Sequence, residues 1–483
     1  MQQIGDHSEA NKKLILFDIV LITFMSTLDT SIINVAMPRM VDALSTTTQL
    51  ITWVVTIYLI VISSTILIFG RLGDLKGISK IFICGIGLFT FGSALCGLSG
   101  SLIILLMARM IQGIGAAATM ATSYGLITQV FPINERGKAL GISGTFVAIG
   151  SMTGPTLGGF IVDALSWHYI FLINIPFGIF GLILAIKVLP KPVPKAKETL
   201  DIKGALLFAL TIILLFFSLN IGGTVGYTQP VIMLCLSLSL ISFVAFILIE
   251  NKCKAPLLQL SIFKSTLFSL SIFCGFISFI AIGSFTIIQP FYLENALNLS
   301  PSTTGLAMIV YPIFLSVVSP ISGYLSDKIG SKMLTFLGLT LLSFSLFLMS
   351  SLTETSPIWL FIIFVIIMAI GNGLFQPPNN VLVMSSVSDD KIGIAGSVNS
   401  LVRNIGVVFG VTMSTNLLYL QMSNKIGYPV SNFVKGRADV FIFGMKSVYL
   451  SVAFICAIGA IITAIRFLGK KPHKINAEDS PNF

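Results

Sequence analysis

One acidic residue, Asp29, lies deep inside an apolar stretch of the sequence. It stands about 15 residues into the run 14–37, roughly two thirds of the way along it. An ionised carboxylate in such surroundings is costly unless it is hydrated or paired, and this cost favours proton exchange or the binding of a cation. We therefore predict a proton or cation site at Asp29. The alternative is a structural acid that is held by neighbouring hydroxyls such as those of Thr30 and Ser31.

Two arginines, Arg109 and Arg403, lie in equally apolar stretches. Arg109 is the only basic residue deep within the apolar runs of the first half of the chain. One interpretation of Arg109 is a structural guanidinium that binds backbone carbonyls where a helix is broken. Arg403 is its counterpart in the second half, and a gating, an anion-binding and a structural role all stay open for it.

Further polar and aromatic residues could line a cavity. Trp53 and Tyr58 could stack on a flat cation, although aromatic residues near a helix start also mark membrane interfaces. Uncharged amides could line the same cavity or satisfy backbone groups near prolines. Glu294, at the end of an apolar run, is interpreted as a solvated charge rather than as a second proton carrier. The uncharged candidates are Asn34, Gln112, Gln289, Asn372, Gln376, Asn379, Asn380 and Asn404.

The sequence offers little for enzyme chemistry. Its pattern contains no nucleophile triad and no metal-ligand cluster, and the three histidines, His7, His168 and His473, lie in the tails or at the rim of an apolar run. The glycine-rich stretch 141–159 lacks the Gly-Lys-Ser/Thr of a phosphate-binding loop. We expect no enzyme activity, no cofactor and no ATP site, which leaves an ion gradient as the source of energy.

Composition places these residues in a membrane protein. The chain is 55% hydrophobic and 10% charged, with a mean hydropathy of +0.97, whereas soluble domains have roughly 25% charged residues. Apolar runs of about 20 residues are long enough to cross a bilayer as helices. Fourteen such runs predict an all-α integral membrane protein with 14 transmembrane helices, at 14–37, 50–70, 80–99, 102–128, 138–163, 167–189, 204–221, 229–249, 265–290, 302–325, 333–351, 357–384, 394–418 and 446–468.

Basic residues set the expected orientation. With the N-terminal tail inside, 22 of the 29 lysines and arginines fall in tails, inner loops and inner helix ends, five fall in outer loops and two fall within the runs. By the positive-inside rule, both termini are cytoplasmic in a multi-pass protein of the cell membrane. The net charge of +10 then reflects topology and anionic lipid headgroups, so we expect no nucleic-acid partner.

The sequence is internally repeated. Residues 70–77, GRLGDLKG, recur as 323–330, GYLSDKIG, at a shift of 253 residues. At a shift of 252, Gly144, Gly154 and Gly158 recur as Gly396, Gly406 and Gly410. The repeat predicts two pseudo-symmetric six-helix bundles, and secondary transporters use such repeats to build a central site. The predicted segments are a cytoplasmic tail (1–13), a six-helix bundle (14–190), a linker (191–203), a two-helix insert (204–250), a linker (251–264), a six-helix bundle (265–468) and a cytoplasmic tail (469–483).

The run 138–163 is apolar yet rich in glycine. At 100° per residue, Gly144, Gly150, Gly154 and Gly158 share one 120° arc of a helix. Small residues let helices approach closely in lipid, so we expect another element to lie close to the backbone on this face. The alternative is an ordinary small-residue helix interface. Pro155, within the same stretch, should bend the helix.

Several motifs, taken together in this order and spacing, resemble the major facilitator superfamily, and within it the fourteen-helix drug:proton antiporter branch. The loop after the second run resembles G-x-L-x-D-x-x-G-x-x-K, at Gly70, Leu72, Asp74, Gly77 and Lys80. The fourth run carries R-x-x-Q-G at Arg109, Gln112 and Gly113, and the fifth resembles the antiporter motif at Gly141, Gly150, Gly154, Pro155, Gly158 and Gly159. Residues 28–38 and 167–176 resemble the branch's signatures in its first and sixth helices. Leu75 and Ile78 depart from the pattern, because arginine is usual at both positions.

The resemblance implies roles for these residues. Arg109 would take part in proton transfer or hold a carboxylate, and the insert would lie beside the transport core. The glycine face of the run 138–163 would pack against a helix of the other half and resist uncoupled leakage. The loops that would gate access contain Gly70, Asp74, Gly77, Lys80, Arg136, Gly323, Asp327, Gly330 and Lys332. The implied function is proton-driven export of amphipathic, cationic small molecules.

Two other functions stay open from the sequence. The first is export of an endogenous anionic metabolite or lipid, for which Arg109 and Arg403 would matter more than Asp29. The second is a sensor that binds a ligand on the same fold without transporting it. The expected partners are a small-molecule substrate, protons and membrane lipids, and the expected state is a monomer.

Overall fold

The computed structural model describes residues 9–46, 48–51, 53–190, 200–253, 256–299, 301–388, 391–430, 433–434 and 436–468. The first half of the chain contains α1 (Glu9–Ala43), α2 (Thr48–Ile51), α3 (Trp53–Lys76), α4 (Ile78–Gly97), α5 (Leu102–Val130), α6 (Ile133–Ala164), α7 (Tyr169–Leu172) and α8 (Asn174–Val188). The middle contains α9 (Ile202–Val225) and α10 (Pro230–Glu250). The second half contains α11 (Thr266–Phe291), α12 (Pro301–Ile329), α13 (Ser331–Met349), α14 (Ile358–Ser385), α15 (Ile392–Ile426) and α16 (Ala438–Leu468).

The helices have the length and composition of membrane spans. Within the described residues, thirteen helical segments are long and apolar enough to cross a bilayer. The predicted fourteenth span lies on α6, several of whose side chains are outside the described part, so the count of fourteen stays a prediction. The predicted run 167–189 is divided between the short helix α7 and α8. The predicted tails 1–13 and 469–483 and the linker 191–203 lie mostly outside the described residues.

The helices of the two halves pack in the same pairs. In the first half, α6 packs on α1, α5 packs on α3 and α4, and α8 packs on α1 and α4. In the second half, α15 packs on α11, α14 packs on α12 and α13, and α16 packs on α11 and α13. This shared scheme follows the sequence repeat, helix by helix.

Glycines on α5 and α14 fix the closest of these contacts. A Cβ on Gly115 would lie 2.2 Å from the backbone nitrogen of Phe89, and a Cβ on Gly371 would lie 2.8 Å from that of Leu342. Only a glycine fits such an approach, because the neighbour is rigid helix backbone. The two halves therefore share a packing geometry that small residues determine.

The glycine face of α6 has two different partners along its length. Gly141 lies against Ser319 of α12, in the other half, as we expected. Gly150, Gly154 and Gly158 instead lie against α1, and no atom lies within 4 Å of a Cβ built on Gly144. The prediction of a contact with the other half is therefore wrong for the outer part of this face. Periodicity identified the face, but it carries no information about which helix covers it.

The two loop motifs lie at one end of the molecule, the predicted cytoplasmic end, which we call the inner end. Asp327, at the end of α12, accepts hydrogen bonds from the backbone N–H groups of Gly137 (3.1 Å) and Lys138 (3.2 Å) in α6. Asp74, at the end of α3, lies against Gly393 in the first turn of α15. Each carboxylate thus sits where a helix begins in the other half, a placement that the helix dipole favours.

The remaining loop-motif residues occupy the same end. Gly70 packs against Ser397 of α15, and Gly323 packs against the backbone of Gly137. Gly77 and Gly330 have φ of 98° and 89°, which glycine adopts without strain, and each precedes a helix. The Arg136 Nε donates to the Phe131 carbonyl at 3.0 Å, while the side chain of Lys80 is exposed and that of Lys332 half-buried.

The middle helices α9 and α10 pack on each other, and α9 also packs on α3. The Trp53 ring centroid lies 6.0 Å from that of Phe217 on α9. The Asn220 Nδ2 donates to the Thr56 hydroxyl at 3.0 Å. Trp53, a predicted cavity residue, therefore contacts the insert.

Candidate functional site

Asp29 lies in a closed polar cluster inside the first half. The residue is 1% exposed, and its carboxylate accepts hydrogen bonds from three side chains that come from α5 and α8. The donors are the Arg109 Nη1 (2.5 Å), the Gln112 Nε2 (2.8 Å) and the Asn174 Nδ2 (2.8 Å). A buried carboxylate with a cation and two amide donors is stabilised in its charged form. The cluster therefore holds a buried charge rather than an isolated acid.

Arg109 is the cationic member of this cluster. Neither side chain of the Asp29–Arg109 ion pair is exposed to solvent. The Arg109 guanidinium also donates to the Val54 carbonyl (3.0 Å) and to the Gln112 Oε1 (2.6 Å). Its carbon Cζ lies 3.9 Å from the centroid of the Tyr58 ring, which adds a cation–π contact. Tyr58, proposed to stack on a substrate cation, instead stacks on Arg109.

The hydroxyls that the sequence suggested as alternative partners of Asp29 point elsewhere. The Thr30 hydroxyl donates to the Ser26 carbonyl at 3.1 Å. The Ser31 hydroxyl donates to the carbonyls of Leu28 (3.0 Å) and Gly150 (3.1 Å). The alternative of a structural acid held by Thr30 and Ser31 is therefore wrong.

Sequence reasoning missed two members of the cluster. The Ser93 hydroxyl on α4 accepts hydrogen bonds from the Gln112 Nε2 (2.8 Å) and the Asn174 Nδ2 (3.4 Å). Asn174 lies within the stretch 167–176 that resembles a family signature, so a signal for it was present. Ser93 has no such signal, because serine is common in apolar helices and hydrogen-bonds to the preceding turn.

The charge balance of the cluster depends on the carboxylate of Asp29. Protonation of Asp29 would remove the negative charge that Arg109 binds, and it would leave a buried guanidinium without a counter-ion. Because such a group is unstable at this depth, proton uptake requires the cluster to open or to be repaired by another anion.

The uncharged candidates of the second half do not join this cluster. The Asn372 Nδ2 donates to the Tyr311 hydroxyl at 2.6 Å, the Gln376 Nε2 to the Ser278 hydroxyl at 3.0 Å, and the Asn379 Nδ2 to the Ser271 carbonyl at 3.0 Å. Asn380 accepts a bond from the Asn399 Nδ2 at 2.9 Å. Gln289 is buried, and its Oε1 has no hydrogen-bond partner in the described part of the chain.

Arg403 and Asn404 lie on α15, apart from the Asp29 cluster. The half-buried Arg403 points its Nη2 at the sulfur of Met120 on α5, at 3.7 Å. The Asn404 Nδ2 is buried without a hydrogen-bond partner among the described residues. Glu294 is exposed, as a solvated charge would be. Gly159 is half-buried on α6, and the side chains of Asn34 and Pro155 lie outside the described part.

Metal chemistry has no ligand set in the described part of the chain. No group of three or more histidine, cysteine, aspartate or glutamate side chains there could hold an ion. The charged groups of the described site are therefore buried carboxylates and guanidinium groups in a helical membrane protein.

Within the described ranges, the thirteen apolar helices and the ion pair buried in the first half are typical of a multi-pass membrane protein of the transporter class. The chain matches the family model described as Major Facilitator Superfamily over residues 19–250 and 271–482, and it belongs to that family. It is therefore a membrane-embedded transporter of small molecules and not an enzyme. The predictions of an all-helical fold and of this family are confirmed.

Relatives with curated names include transporters of different kinds. The riboflavin transporter RibZ of Clostridioides difficile is 34% identical over 96% of this chain and 99% of its own length. The multidrug transporter protein MdtP of Bacillus subtilis is 30% identical over 88% of this chain and 79% of its own length. The multidrug resistance protein Stp of Mycobacterium tuberculosis is 30% identical over 83% of this chain and 74% of its own length.

Solved structures share the fold at low sequence identity. The human organic anion transporter MFSD10 superposes with a TM-score of 0.67 and 12% identity, over 94% of this chain and 99% of that one. The proton:xylose symporter XylE superposes with a TM-score of 0.67 and 14% identity, over 95% of this chain and 96% of that one. These two likenesses concern the fold alone.

Proposed function

We propose that this transporter is a proton-driven antiporter that exports amphipathic, cationic small molecules, and that it belongs to the fourteen-helix drug:proton branch. It works in the cell membrane as a monomer, with both termini cytoplasmic, and the proton gradient is its only source of energy. The names of the relatives MdtP and Stp support export of drugs. The argument from this chain rests on Asp29.

The observation that carries the proposal is the buried ion pair of Asp29 and Arg109. A transporter that only needed to fold would gain little from burying two charges, because desolvation offsets most of their attraction. A proton that enters from outside neutralises Asp29 and frees Arg109. The cluster closes again when the proton leaves, so the two protonation states favour two arrangements of the surrounding helices.

Alternating access couples this change to the substrate. The bundles 14–190 and 265–468 would rock about a central cavity, with the insert 204–250 beside them. Contacts between the halves at the inner end, including Asp327 with Gly137 and Asp74 with Gly393, support a state that is closed at this end in the present structure. A substrate cation and the proton would favour opposite states, which makes the exchange obligatory.

The test uses ethidium, a planar cation, in cells that lack their own drug pumps. We expect the transporter to lower ethidium accumulation, and an uncoupler to abolish the effect. Asp29→Asn should slow efflux by about 100-fold, in the range of a lost proton-transfer group. Asp42→Asn, which changes an exposed aspartate on the same helix, is the matched control and should leave efflux unchanged. Unaltered efflux from Asp29→Asn would count decisively against the proposal.

Export of an organic anion is the second candidate, because the Arg403 guanidinium has no carboxylate partner among the described residues. A half-buried cation between the halves would attract an anionic substrate. Fluorescein is the anionic probe, and riboflavin is a second probe suggested by the relative RibZ. If this candidate is right, Arg403→Gln should slow fluorescein export about tenfold, the cost of a lost charged hydrogen bond. Binding of either probe without counterflow in vesicles would favour a sensor.

A further inference from the structure

A second acid, Asp18, lies on α1 nearer the inner end. It is 0% exposed, and neither of its carboxylate oxygens has a hydrogen-bond partner in the described part of the chain. A Cβ built on Gly181 of α8 would lie 3.2 Å from the Asp18 Oδ1, so the carboxyl group faces α8. Asp18 therefore contrasts with Asp29, whose carboxylate has three donors.

The surroundings of Asp18 supply no compensating charge. The nearest helices bury apolar side chains around it, such as Ile15, Ile19 and Ile22. An ionised carboxylate without a partner is so costly in such a place that the group takes up a proton instead. Besides Asp29, Arg39 and Asp42 farther along α1, the charged residues in the described parts of α1, α4, α6 and α8 are Lys12 and Lys13 on α1, Lys80 on α4, Glu135, Arg136 and Lys138 on α6, and Lys187 on α8. None of them hydrogen-bonds to Asp18.

Asp18 and Asp29 lie on the same face of α1. They are eleven residues apart, which is about three turns and about 16 Å along the helix axis. Both face α8, where Asn174 contacts Asp29 and Gly181 contacts Asp18. Gly178 lies between these two positions. At Gly178 and Gly181, the face of α8 that lies between the two acids has only hydrogen atoms in place of side chains.

Hydroxyl groups of α4 line the same strip. Ser93 bonds to Gln112 and Asn174 in the Asp29 cluster. One turn nearer the inner end, the Thr90 Oγ1 lies only 2.1 Å from the position of a Cβ on Gly178. The strip from Asp29 to Asp18 thus contains Ser93 and Thr90 in sequence, next to small residues of α8.

We propose that Asp18 is a second proton-carrying residue, which receives the proton from Asp29 and releases it at the inner end. This inference rests on the proposed proton-driven function. In the transfer, the O–H bond of Asp29 breaks and an O–H bond of Asp18 forms. In this structure the hydroxyls of Ser93 and Thr90 donate to the carbonyls of Phe89 (2.8 Å) and Ile86 (2.8 Å), so both must turn away from these bonds during the transfer. Each then accepts one proton and gives up another, so they end unchanged. Asp29 regains the charge that Arg109 binds, and Asp18 then loses its proton to the inner aqueous side.

The arrangement in this structure corresponds to the state after the transfer. Asp29 is paired with Arg109, as its charged form requires, whereas Asp18 has no hydrogen-bond partner among the residues that the structure describes, as its neutral form allows. Because one proton is shared between the two acids, only one of them is charged at a time, and Arg109 is a sufficient counter-ion.

The test separates exchange from gradient-driven transport in vesicles that contain the purified transporter, with ethidium as the probe. Asp18→Asn should leave ethidium–ethidium exchange unchanged, because neither the site nor the neutral state of residue 18 is altered. It should slow transport driven by a pH gradient by about 100-fold, because the asparagine cannot carry a proton. Asp18→Glu should restore part of the driven rate, and Thr90→Val should slow it without changing exchange.

The controls distinguish failure of this inference from failure of the proposed function. If the wild-type protein shows no transport driven by a pH gradient, the proposed function itself is wrong. If the wild-type protein does show it and Asp18→Asn transports at the same rate, Asp18 is a structural neutral acid and the inference is overturned. Asp42→Asn should match the wild type in both assays. Size-exclusion profiles of the purified variants check that each one is folded.

Discussion

At the position where the first half buries Arg109, the second half buries Val365. The two are equivalent because each lies six residues before the glycine that brings two helices into backbone contact, Gly115 in α5 and Gly371 in α14. Both side chains are fully buried. Three residues before the same glycines, Gln112 in one half corresponds to Met368 in the other. At this position the first half thus buries a charged pair and an amide where the second half buries apolar side chains. The second half buries polar groups elsewhere, among them the Arg466 guanidinium, which donates to the hydroxyls of Ser271 (2.8 Å) and Thr335 (2.6 Å).

The difference teaches that the ion pair is not required for the helix packing. The second half reaches the same pairing of helices with Val365, Met368 and other apolar residues at its centre. Burying charges adds a desolvation cost that an apolar core avoids. We infer that the charges of the first half at this position are kept for a task other than folding, because the second half packs apolar side chains at the equivalent position.

The largest expected effect comes from removing the cation. Arg109→Met leaves the Asp29 carboxylate buried without a counter-ion, so we expect a loss of about 3–5 kcal/mol in the free energy of unfolding and no ethidium export. The matched variant Val365→Met, which only enlarges the apolar core, should cost about 1–3 kcal/mol. Thermal unfolding of both variants in the same detergent measures the difference. Equal losses would show that the two cores are energetically alike.

A double variant sharpens the same comparison. Asp29→Asn combined with Arg109→Met makes the core of the first half neutral, as in the second half. Replacement of both partners of a buried pair is often neutral or stabilising, so we expect it to recover about 1–4 kcal/mol relative to Arg109→Met alone. Ethidium export should stay absent. A double variant that is no more stable than the single one would contradict the view that the pair serves function rather than folding.

The glycine contacts of the two halves come next in size. Gly154→Ala places a Cβ 1.9 Å from the Ser31 Oγ, and Gly406→Ala places one 2.7 Å from the Phe279 Cβ. Each should lower stability by about 1–3 kcal/mol through overpacking. Gly144→Ala, whose Cβ has no atom within 4 Å, should instead raise it by up to about 1 kcal/mol through helix propensity. Chemical denaturation of the purified variants checks the order.

The smallest effects are expected at the two loop motifs. Asp327→Asn and Asp74→Asn each weaken an interaction with the start of a helix in the other half, so each should loosen the closed inner end. A cysteine at Ser319 reports the first contact and a cysteine at Ser397 reports the second. We expect both to react about two- to fivefold faster with a thiol reagent, as the loss of a charge–dipole interaction predicts. If only one reporter responds, the two motifs are not functionally equivalent.

The sequence predicted the class of fold better than the partners of individual side chains. Apolar length and the repeat of 70–77 at 323–330 depend on local composition, so most helix ends were found within about six residues. The prediction was less accurate around the last outer loop, where α15 ends eight residues after the predicted 418 and α16 begins eight residues before the predicted 446. Gln112 was predicted to line a cavity, but it lies inside the Asp29 cluster. Trp53 was proposed to stack on a substrate and contacts Phe217. These outcomes depend on how helices rotate against one another, which one-dimensional periodicity does not fix.

The site shows the same limit. The burial of Asp29 and Arg109 could be predicted because charges are rare in apolar runs, and their motifs supplied a family role. Their mutual ion pair joins residues 80 positions apart in the sequence, and no spacing rule connects them. Asp18 was hidden because it lies near the beginning of the first apolar run, where an acid is commonly solvated.

Helix α6 packs on different helices along its length. It contacts α12 near Gly141, and it contacts α1 from Gly150 to Gly158. If the two halves separate at the inner end, the first turns of α6 must lose their contact with α12, while its outer turns keep their contact with α1. The helix would then have to bend in the segment between Gly141 and Gly150, which lies between the two contacts. A ligand that binds at this segment and prevents the bending would therefore block the movement of α6 without contacting Asp29 or Arg109.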